Sequence, residues 1–281
     1  MNTKINTLSS CGGCHYSRRA FLAGCVILLA LVSCGSIKLK KTEPAYSLNI
    51  SGKNYVLVWN DEFDGTSVDE TKWNYRAEGT VRRLATVRRN NVSLDGKGHL
   101  LIVTDKDASG NYFIGQLGTD GIFDTTYGYF ECRAMMNKSL GPHVAFWLQS
   151  PTFGQEIGNP AVSGTEIDIF EYHRKEPDIV HHNLHWDGYG EHPKSTGKKV
   201  PIAGIGDGFH TFGLEWTEDE YVFFVNGVET WRTSTAVSKR SQYIILSAEL
   251  TGWGGKPEKG NFPDTVVFDY VRVYKNQTII K

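Results

Sequence analysis

The chain has very little cysteine outside its N-terminal segment. Of its five cysteines, Cys11, Cys14 and Cys25 fall within residues 1–33, and Cys34 follows at once. Only Cys132 remains in the body, so an intramolecular disulfide is excluded there. Residues 48–281 contain no low-complexity segment or detectable repeat, and they are numerous enough to bury one sizeable core.

The chain also lacks an excess of positive charge. Its 281 residues carry a formal net charge of −1, and residues 1–33 contribute Lys4, Arg18 and Arg19 but no acid. The remainder therefore carries −4 and has no basic block. Nucleic-acid binding requires clustered cations that neutralise phosphates, so the composition argues against such a partner.

No apolar run is long enough for a membrane-spanning helix. The longest, FLAGCVILLALVS at residues 21–33, falls short of the roughly 20 residues that a span needs. It follows Arg18-Arg19, as in a twin-arginine export signal, and it ends at LVSC, which resembles a lipobox. We expect a signal peptide at 1–33, lipidation of Cys34, a tether at 34–47 and a catalytic domain at 48–281. An ordinary signal peptide followed by a chance cysteine is the alternative.

Sustained helical periodicity is missing from the body, whereas short strand patterns dominate. Segments such as GHLLIVTDK, YGYFECRAMM, HVAFWLQS and VVFDYVRVYK are rich in aromatic and β-branched residues and are bounded by turn residues. Asn226-Gly227 is typical of a two-residue type I′ hairpin. The pattern predicts an all-β domain of two antiparallel sheets packed as a sandwich.

Alternation in HVAFWLQS predicts which side of one strand faces a ligand. Val144, Phe146 and Leu148 would point into the sandwich, and His143 and Trp147 would point away from it. An outward tryptophan between small and polar neighbours is suited to stacking against a sugar ring. A tryptophan covered by a loop is the alternative.

Three carboxylates interrupt the apolar stretch TEIDIFEY. Glu166 and Asp168 share a face in a regular strand, but Glu171 is out of phase and would enter the core, which is costly. A β-bulge at Ile169-Phe170 would bring Glu171 to the acidic face. The carboxyls of Glu166 and Glu171 could then lie about 5–6 Å apart, the separation of a retaining glycosidase pair.

Asp168 stands between those two acids. It could hydrogen-bond the nucleophile, and its negative charge would keep Glu171 protonated, because crowded like charges raise a carboxyl pKa. Two alternatives remain open for the trio: a solvated acidic edge, or a Ca²⁺ site using the same oxygens.

The stretch EIDIFE resembles the catalytic signature of glycoside hydrolase family 16 in its bulge-containing form. LVWNDEFDGTSVDETKWNY, FHTFGLEWTEDEYVFFVNG and FPDTVVFDYVRVYK resemble the opening and closing sections of that family, in the right order. The resemblance implies a concanavalin A-like β-jelly-roll with a concave cleft. It also implies retaining, endo-acting hydrolysis, with Glu166 as nucleophile, Asp168 as its helper and Glu171 as acid/base.

The same resemblance suggests residues that bind substrate or metal. The candidates for substrate binding are His143, Trp147, Asn183, His185, Trp186, Glu249 and Trp253, and Ser247 is expected to face the cleft with Glu249. For His185 a structural role is the alternative, for Trp186 a core position, and for Glu249 a surface ion pair. No cofactor is expected for catalysis, while Glu62 and Asp269 are candidate ligands of a structural calcium ion.

Two segments depart from the family pattern. HRKEPDIVHHN contributes His173, His181 and His182, which match no glucanase pattern. The loop TVRRLATVRRNN carries Arg82, Arg83, Arg88 and Arg89, either as a solvated loop or as contacts to an anionic or sulfated glycan.

The sequence therefore predicts a monomeric, extracytoplasmic lipoprotein, periplasmic or at the cell surface, that cleaves a β-linked glucan or galactan. A lectin-like binder on the same sandwich is one alternative. A transglycosylase with the same acids is another. Binding alone has no need of a crowded carboxylate trio, which favours an enzyme.

Overall fold

The computed structural model describes residues 44–278, whose regular secondary structure is almost entirely β-strand. The predicted signal peptide, Cys34 and most of the predicted tether lie outside the described residues. One short α-helix, Pro160–Ser163, and two 3-10 turns, Arg89–Asn91 and Pro257–Lys259, accompany the strands. Among residues 44–278 no helix is long and apolar enough to cross a bilayer. The strands are β1 (Ser47–Ile50), β2 (Lys53–Asp61), β3 (Asn74–Tyr75), β4 (Val81–Arg82), β5 (Ala85–Val87), β6 (Val92–Leu94), β7 (Leu100–Lys106), β8 (Tyr112–Ile114), β9 (Gln116–Gly118), β10 (Asp124–Thr125), β11 (Gly128–Met135), β12 (Gly141–Gln149), β13 (Glu166–His173), β14 (Ile179–Trp186), β15 (Lys194–Pro201), β16 (Phe209–Trp216), β17 (Tyr221–Val225), β18 (Val228–Thr233), β19 (Gln242–Gly254) and β20 (Asp264–Asn276).

These strands form two packed sheets. The cleft sheet has the order β15-β14-β13-β12-β19-β9-β3, with β10 also paired to β19. The outer sheet has the order β18-β17-β16-β11-β20-β7-β8-β5-β4, with β2 also on β20, β1 on β2 and β6 on β7. Pairing between described strands is antiparallel except between β5 and β8. The predicted two-sheet antiparallel jelly-roll sandwich is confirmed.

The core lies between the sheets and is filled from both by alternating side chains. On β12 the side chains of Val144, Phe146 and Leu148 belong to the main core, as predicted. The intervening Ala145 and Trp147 form a separate cluster on the opposite face with Tyr243 and Ile245 of β19. Strand alternation thus gives β12 one face for the core and one for the cleft.

The predicted hairpin turn is present between β17 and β18. Asn226 and Gly227 have φ values of 52° and 75°, the left-handed conformation that a type I′ turn requires at both central residues. The turn pairs β18 with β17, so that the Trp231 ring stacks on the Phe223 ring with ring centres 4.9 Å apart.

Strand β15 was not predicted from the sequence. Its residues, KSTGKKVP, are polar and mostly exposed, so they carry none of the apolar alternation that marks a half-buried strand. The strand pairs with β14 alone, and lysines on such an edge discourage pairing with other chains. It extends the cleft sheet beyond the catalytic strands.

Candidate active site

The strand that carries the three acids contains the predicted bulge. Against β12, Phe170 pairs with Phe146 and Asp168 pairs with Trp147, which leaves Ile169 without an opposite residue. Both Ile169 and Phe170 consequently face the main core. The extra residue turns Glu171 to the face that holds Glu166 and Asp168, and all three line one cleft.

His182 on the neighbouring strand supports this bulge. Its Nδ1 donates to the Ile169 carbonyl at 2.7 Å, and its Nε2 lies 2.9 Å from the Thr230 hydroxyl. Burial lowers the pKa of His182 to about 4, so the ring is neutral at pH 7. This role could not be predicted from the sequence, because it depends on a contact with the carbonyl of the bulged residue on the neighbouring strand.

The cleft has a volume of about 470 Å³ and lies on the cleft sheet between β12, β13 and β19. Its walls combine carboxylates, cations and one indole ring. The lining residues are Arg82, Arg83, His143, Ala145, Trp147, Glu166, Asp168, Glu171, Tyr189, Ser247, Glu249 and Thr251.

Glu166 is held by hydrogen-bond donors on one side. The Gln149 amide donates to Glu166 Oε2 at 2.8 Å, and the Tyr189 hydroxyl donates to the same oxygen. Burial raises the pKa of Glu166 to about 7, while the Tyr189 hydrogen bond and the charges of Arg76 and Arg82 oppose that rise. Gln149 is two residues after Trp147 on β12 and shares its outward face, which alternation predicts, whereas Tyr189 and Arg76 come from loops and were missed.

Glu171 has fewer stabilising partners. Its Oε2 accepts a hydrogen bond from the Asn183 amide at 2.6 Å, and its Oε1 lies 3.8 Å from His143 Nε2. Burial lowers the pKa of His143 to about 3, so this neighbour is neutral. Burial raises the pKa of Glu171 to about 7, with further upward contributions from the charges of Glu166 and Glu249.

Asp168 is buried in the wall of the cleft. Burial raises its pKa well above the usual value, and the charges of Glu171 and Glu166 raise it further. The raised pKa of Glu171 comes from burial and from the charges of Glu166 and Glu249. Burial thus disfavours the negative charge expected of Asp168, whose role as a helper of the nucleophile stays a prediction. His185 Nε2 lies 3.5 Å from Asp168 Oδ2.

Glu249 and Ser247 face the cleft from β19, as expected. Glu249 accepts hydrogen bonds from Gln116 and from Arg82, whose Nε lies 3.1 Å away. An ion pair was the alternative expected for Glu249, and Arg82 provides one. The Glu249 carboxylate is, however, buried in the cleft wall and not at the surface. The Trp147 indole donates to Ser247 Oγ at 3.1 Å.

Trp147 lies in the cleft wall with a cation close to it. The Arg76 guanidinium lies 5.3 Å from the centre of the Trp147 ring, and its Nη1 donates to Gln116 at 3.0 Å. The ring is mostly buried but lines the cleft.

Two of the predicted substrate-binding tryptophans lie away from the carboxylates. Trp186 packs against the main core, because it alternates with His185 on β14 and so takes the opposite face. This is the core position held open as the alternative for Trp186, and its contact with substrate stays a prediction. Trp253 lies beyond the cleft carboxylates, edge-on to His143, with ring centres 5.3 Å apart.

Glu62 and Asp269, the candidate calcium ligands, are each paired with an arginine. Glu62 accepts from Arg272 at 2.9 and 2.8 Å, and Asp269 is bound by Arg133. Both carboxylates therefore serve ion pairs in this structure, which the sequence could not show because the partners are distant in the chain. A calcium site at these residues stays a prediction.

The four arginines of the loop separate into two pairs. Arg82 and Arg83 line the cleft. Arg88 lies over the Phe113 ring at 3.0 Å, and Arg89 lies over the Tyr75 ring at 3.9 Å and pairs with Glu70. Only the first pair is placed to meet a ligand in the cleft.

Two groups among the described residues bring potential metal-ligand atoms within 4.8 Å of one another. The first is Glu166, Asp168 and His185, in which Glu166 is already bound by Gln149 and Tyr189. The second, His173, Glu176 and His181, lies at the turn between β13 and β14.

Comparison with known proteins agrees with the fold and the cleft. The family model "Beta-porphyranase A-D, GH16 domain" matches residues 55–276. A β-glucanase of Rhodothermus marinus is 28% identical, over 92% of this chain and 94% of that protein. A keratan-sulfate endo-1,4-β-galactosidase of Sphingobacterium multivorum is 27% identical over 80% of this chain. The match covers 56% of that protein. The endo-β-1,3-glucanase structure from Pyrococcus furiosus superposes with a TM-score of 0.69 at 26% identity, covering 83% of this chain and 98% of the other.

A jelly-roll sandwich with crowded carboxylates in an open cleft, together with these relatives, defines an O-glycosyl hydrolase that cuts β-linked glycans internally. The chain belongs to glycoside hydrolase family 16.

Proposed function

We propose that the protein hydrolyses internal β-linkages of a polysaccharide with retention of anomeric configuration, by double displacement. One observation carries this proposal: the bulge at Ile169 places Glu166 and Glu171 on the same face of β13, in the same cleft. Two carboxyl groups that flank one glycosidic bond, one opposite the departing oxygen and one beside that oxygen, suit a nucleophile and an acid/base.

Their surroundings support the two proposed roles. The pKa of each carboxyl is raised, but Glu166 has the Tyr189 hydrogen bond and two arginine charges that favour its ionised form, whereas Asn183 alone does so for Glu171. These partners favour Glu166 as the ionised group and Glu171 as the protonated group. This is the state that the first step needs.

In that step Glu166 attacks the anomeric carbon while Glu171 transfers its proton to the departing glycosidic oxygen, forming a covalent glycosyl-enzyme. Glu171, now ionised, then takes a proton from water, and the hydroxide displaces Glu166 from the anomeric carbon. Asp168 lines the same cleft and shares the face of β13 with Glu166, so it is placed to orient the nucleophile.

The stereochemistry of the first-formed product tests the mechanism. Proton NMR during the first minutes of hydrolysis should show the β-anomer at the new reducing end, before mutarotation produces the α-anomer. An α-anomer appearing first would refute double displacement. A protein that binds several β-glycans and cleaves none would support the lectin-like alternative.

Replacing Tyr189 with phenylalanine should raise the pKa of Glu166, because the substitution removes a hydrogen bond that stabilises the ionised carboxylate. The acid limb of kcat/KM against pH should move to higher pH by about one unit. Tyr189 is 68% exposed, so the fold should tolerate the change. Tyr46→Phe, which alters a tyrosine that is 79% exposed just before β1, is the control. An unmoved acid limb would mean that Tyr189 does not tune the nucleophile.

We further propose that the substrate is a β-galactan that carries sulfate or another anionic group. Arg83 lines the cleft, and no carboxylate among the described residues lies within ion-pair distance of it. Arg82 beside it is paired with Glu249. The matching family model is named for β-porphyranases, and one relative acts on keratan sulfate. A neutral β-glucan is the alternative, favoured by the glucanase relatives.

Replacing Arg83 with alanine should lower kcat/KM on a sulfated galactan roughly tenfold, because a hydrogen bond to a charged group is lost. Initial rates on porphyran and keratan sulfate would be compared with rates on agarose and laminarin. Arg83→Lys, which keeps the charge, should lose less. Cleavage of laminarin alone, with no effect of Arg83→Ala, would favour the neutral glucan.

A transglycosylase would use the same two carboxylates but would pass the glycosyl group to a sugar instead of water. Mass spectrometry of early products separates the two activities, since transfer yields oligosaccharides longer than the starting chain. We expect hydrolysis products to dominate.

We also propose that the protein is exported and anchored by lipid on Cys34. Labelling of cells with an alkyne-modified fatty acid should mark the wild-type chain and leave Cys34→Ser unlabelled. Equal labelling of both chains would refute the anchor.

A further inference from the structure

Three side chains with metal-binding atoms converge at the turn between β13 and β14. His173 ends β13, Glu176 lies in the turn and His181 lies early in β14. Glu176 Oε2 is 3.5 Å from His173 Nε2 and 3.1 Å from His181 Nε2. The catalytic mechanism uses none of these groups.

The backbone holds this arrangement in place. His173 is two residues after Glu171 and shares its face, and His181 pairs with Glu171 across the strands. In the turn, the Glu176 amide donates to the His173 carbonyl at 3.2 Å, and the Ile179 amide donates to the Glu176 carbonyl at 3.1 Å. The three side chains are therefore brought together by secondary structure.

Three ring nitrogens of the two histidines are buried without a partner in hydrogen-bond geometry among the described residues, although Glu176 lies close to both rings. His173 is 1% exposed and neither ring nitrogen is bonded, and His181 is 3% exposed with an unbonded Nε2. Such burial of polar atoms is costly. The adjacent His182 differs, because both of its ring nitrogens have protein partners. The unbonded nitrogens thus belong to the pair that faces Glu176.

Both imidazole rings are buried, and burial disfavours their charged form. A neutral imidazole offers the lone pair that a metal ion needs. The Glu176 carboxylate supplies negative charge.

We propose that His173, Glu176 and His181 bind a divalent transition-metal cation of the zinc class. Zinc takes imidazole nitrogen and carboxylate oxygen at about 2.0–2.1 Å in a tetrahedron, which places neighbouring donor atoms about 3.3 Å apart. The separations of 3.5 and 3.1 Å match this value. Two imidazoles and one carboxylate suit zinc, cobalt or nickel, whereas calcium and magnesium require oxygen ligands.

One cation of the protein competes for the site. Lys199 Nζ lies 2.8 and 3.1 Å from the two Glu176 oxygens, but its side chain is 64% exposed and can turn into solvent. The lysine should therefore weaken the metal without excluding it, and Lys199→Met should tighten binding.

The metal would fasten the strand turn beside the cleft. The Trp253 ring packs edge-on to His173 and His181, with ring centres 4.6 and 4.8 Å apart, and to His143 on its other side. A cation that fixes both imidazoles therefore also fixes the surface on which Trp253 rests. The expected consequence is a higher thermal midpoint in the presence of the metal.

The test uses the full chain without a polyhistidine tag, stripped with a chelator and titrated with Zn²⁺ by calorimetry and with Co²⁺ by visible absorption. Because Cys11 and Cys14 could also take metal, the readout is the binding lost on substitution. Glu176→Gln and His181→Ala should each lower the affinity for one of the bound Zn²⁺ ions by at least roughly 100-fold. Each substitution should also abolish the rise in thermal midpoint that this ion causes. His192→Ala, which alters an exposed histidine outside the group, should behave as wild type.

Lys199→Met keeps the test decisive if His181→Ala fails to fold, since it should bind Zn²⁺ more tightly than wild type. Binding that is equal in wild type, Glu176→Gln and Lys199→Met would overturn the site. So would a wild-type chain that binds no Zn²⁺ or Co²⁺ at neutral pH.

Discussion

Replacing Glu166 with alanine is expected to lower kcat on the polysaccharide by on the order of 10⁵-fold, because no glycosyl-enzyme can form without its carboxylate. The substitution removes a buried group whose pKa is raised by burial, so the fold should persist. Circular dichroism and oligosaccharide binding should be close to those of the wild type. Reducing-end release on the preferred glycan gives the rate.

Glu218→Ala provides the matched control for this variant. Glu218 is exposed and pairs only with Lys239 among the described residues, at 2.9 Å, so its loss should leave kcat unchanged. More than a tenth of the wild-type kcat in Glu166→Ala would show that another group is the nucleophile.

Replacing Glu171 with alanine should lower kcat on the polysaccharide roughly 10²–10⁴-fold, the usual contribution of a general acid. The loss should be much smaller on an aryl glycoside whose leaving group is dinitrophenolate, since that group departs without a proton. The basic limb of the pH profile should disappear, because it reports the protonated form of Glu171, whose pKa is raised to about 7.

Both substrates must be measured to make the Glu171 result decisive. An equal loss on the polysaccharide and on the aryl glycoside would indicate a structural role for Glu171. A basic limb that persists in Glu171→Ala would assign the proton to a different group.

The core of the site follows from local alternation, which is why the sequence could predict it. Glu171 falls out of phase with Glu166 and Asp168, and only an inserted residue reconciles the acids with the apolar residues between them. The direction of Trp147 follows from the same rule on β12. The alternation of side chains along a strand depends only on residues that are neighbours in the sequence, so it predicts these directions reliably.

What the sequence missed depends on contacts between distant segments. Tyr189 bonds Glu166 from a loop, the charge of Arg76 acts on Glu166 from another loop, and Gln116 bonds Glu249 across strands. The raised pKa of Asp168 depends on how completely the fold excludes water. Strand β15 has no apolar alternation that could reveal it in the sequence, since it is held as a strand only by its pairing with β14.

The central claim is that Glu166 attacks and Glu171 transfers the proton on one face of a bulged strand. Azide rescue of the two alanine variants tests it most directly, with an activated β-glycoside as donor. Azide should occupy the space left in Glu166→Ala and yield the α-glycosyl azide. In Glu171→Ala it should attack the glycosyl-enzyme and yield the β-glycosyl azide. The assignment would be contradicted if Glu166→Ala gave the β-glycosyl azide and Glu171→Ala the α-glycosyl azide. It would also be contradicted if azide rescued neither variant.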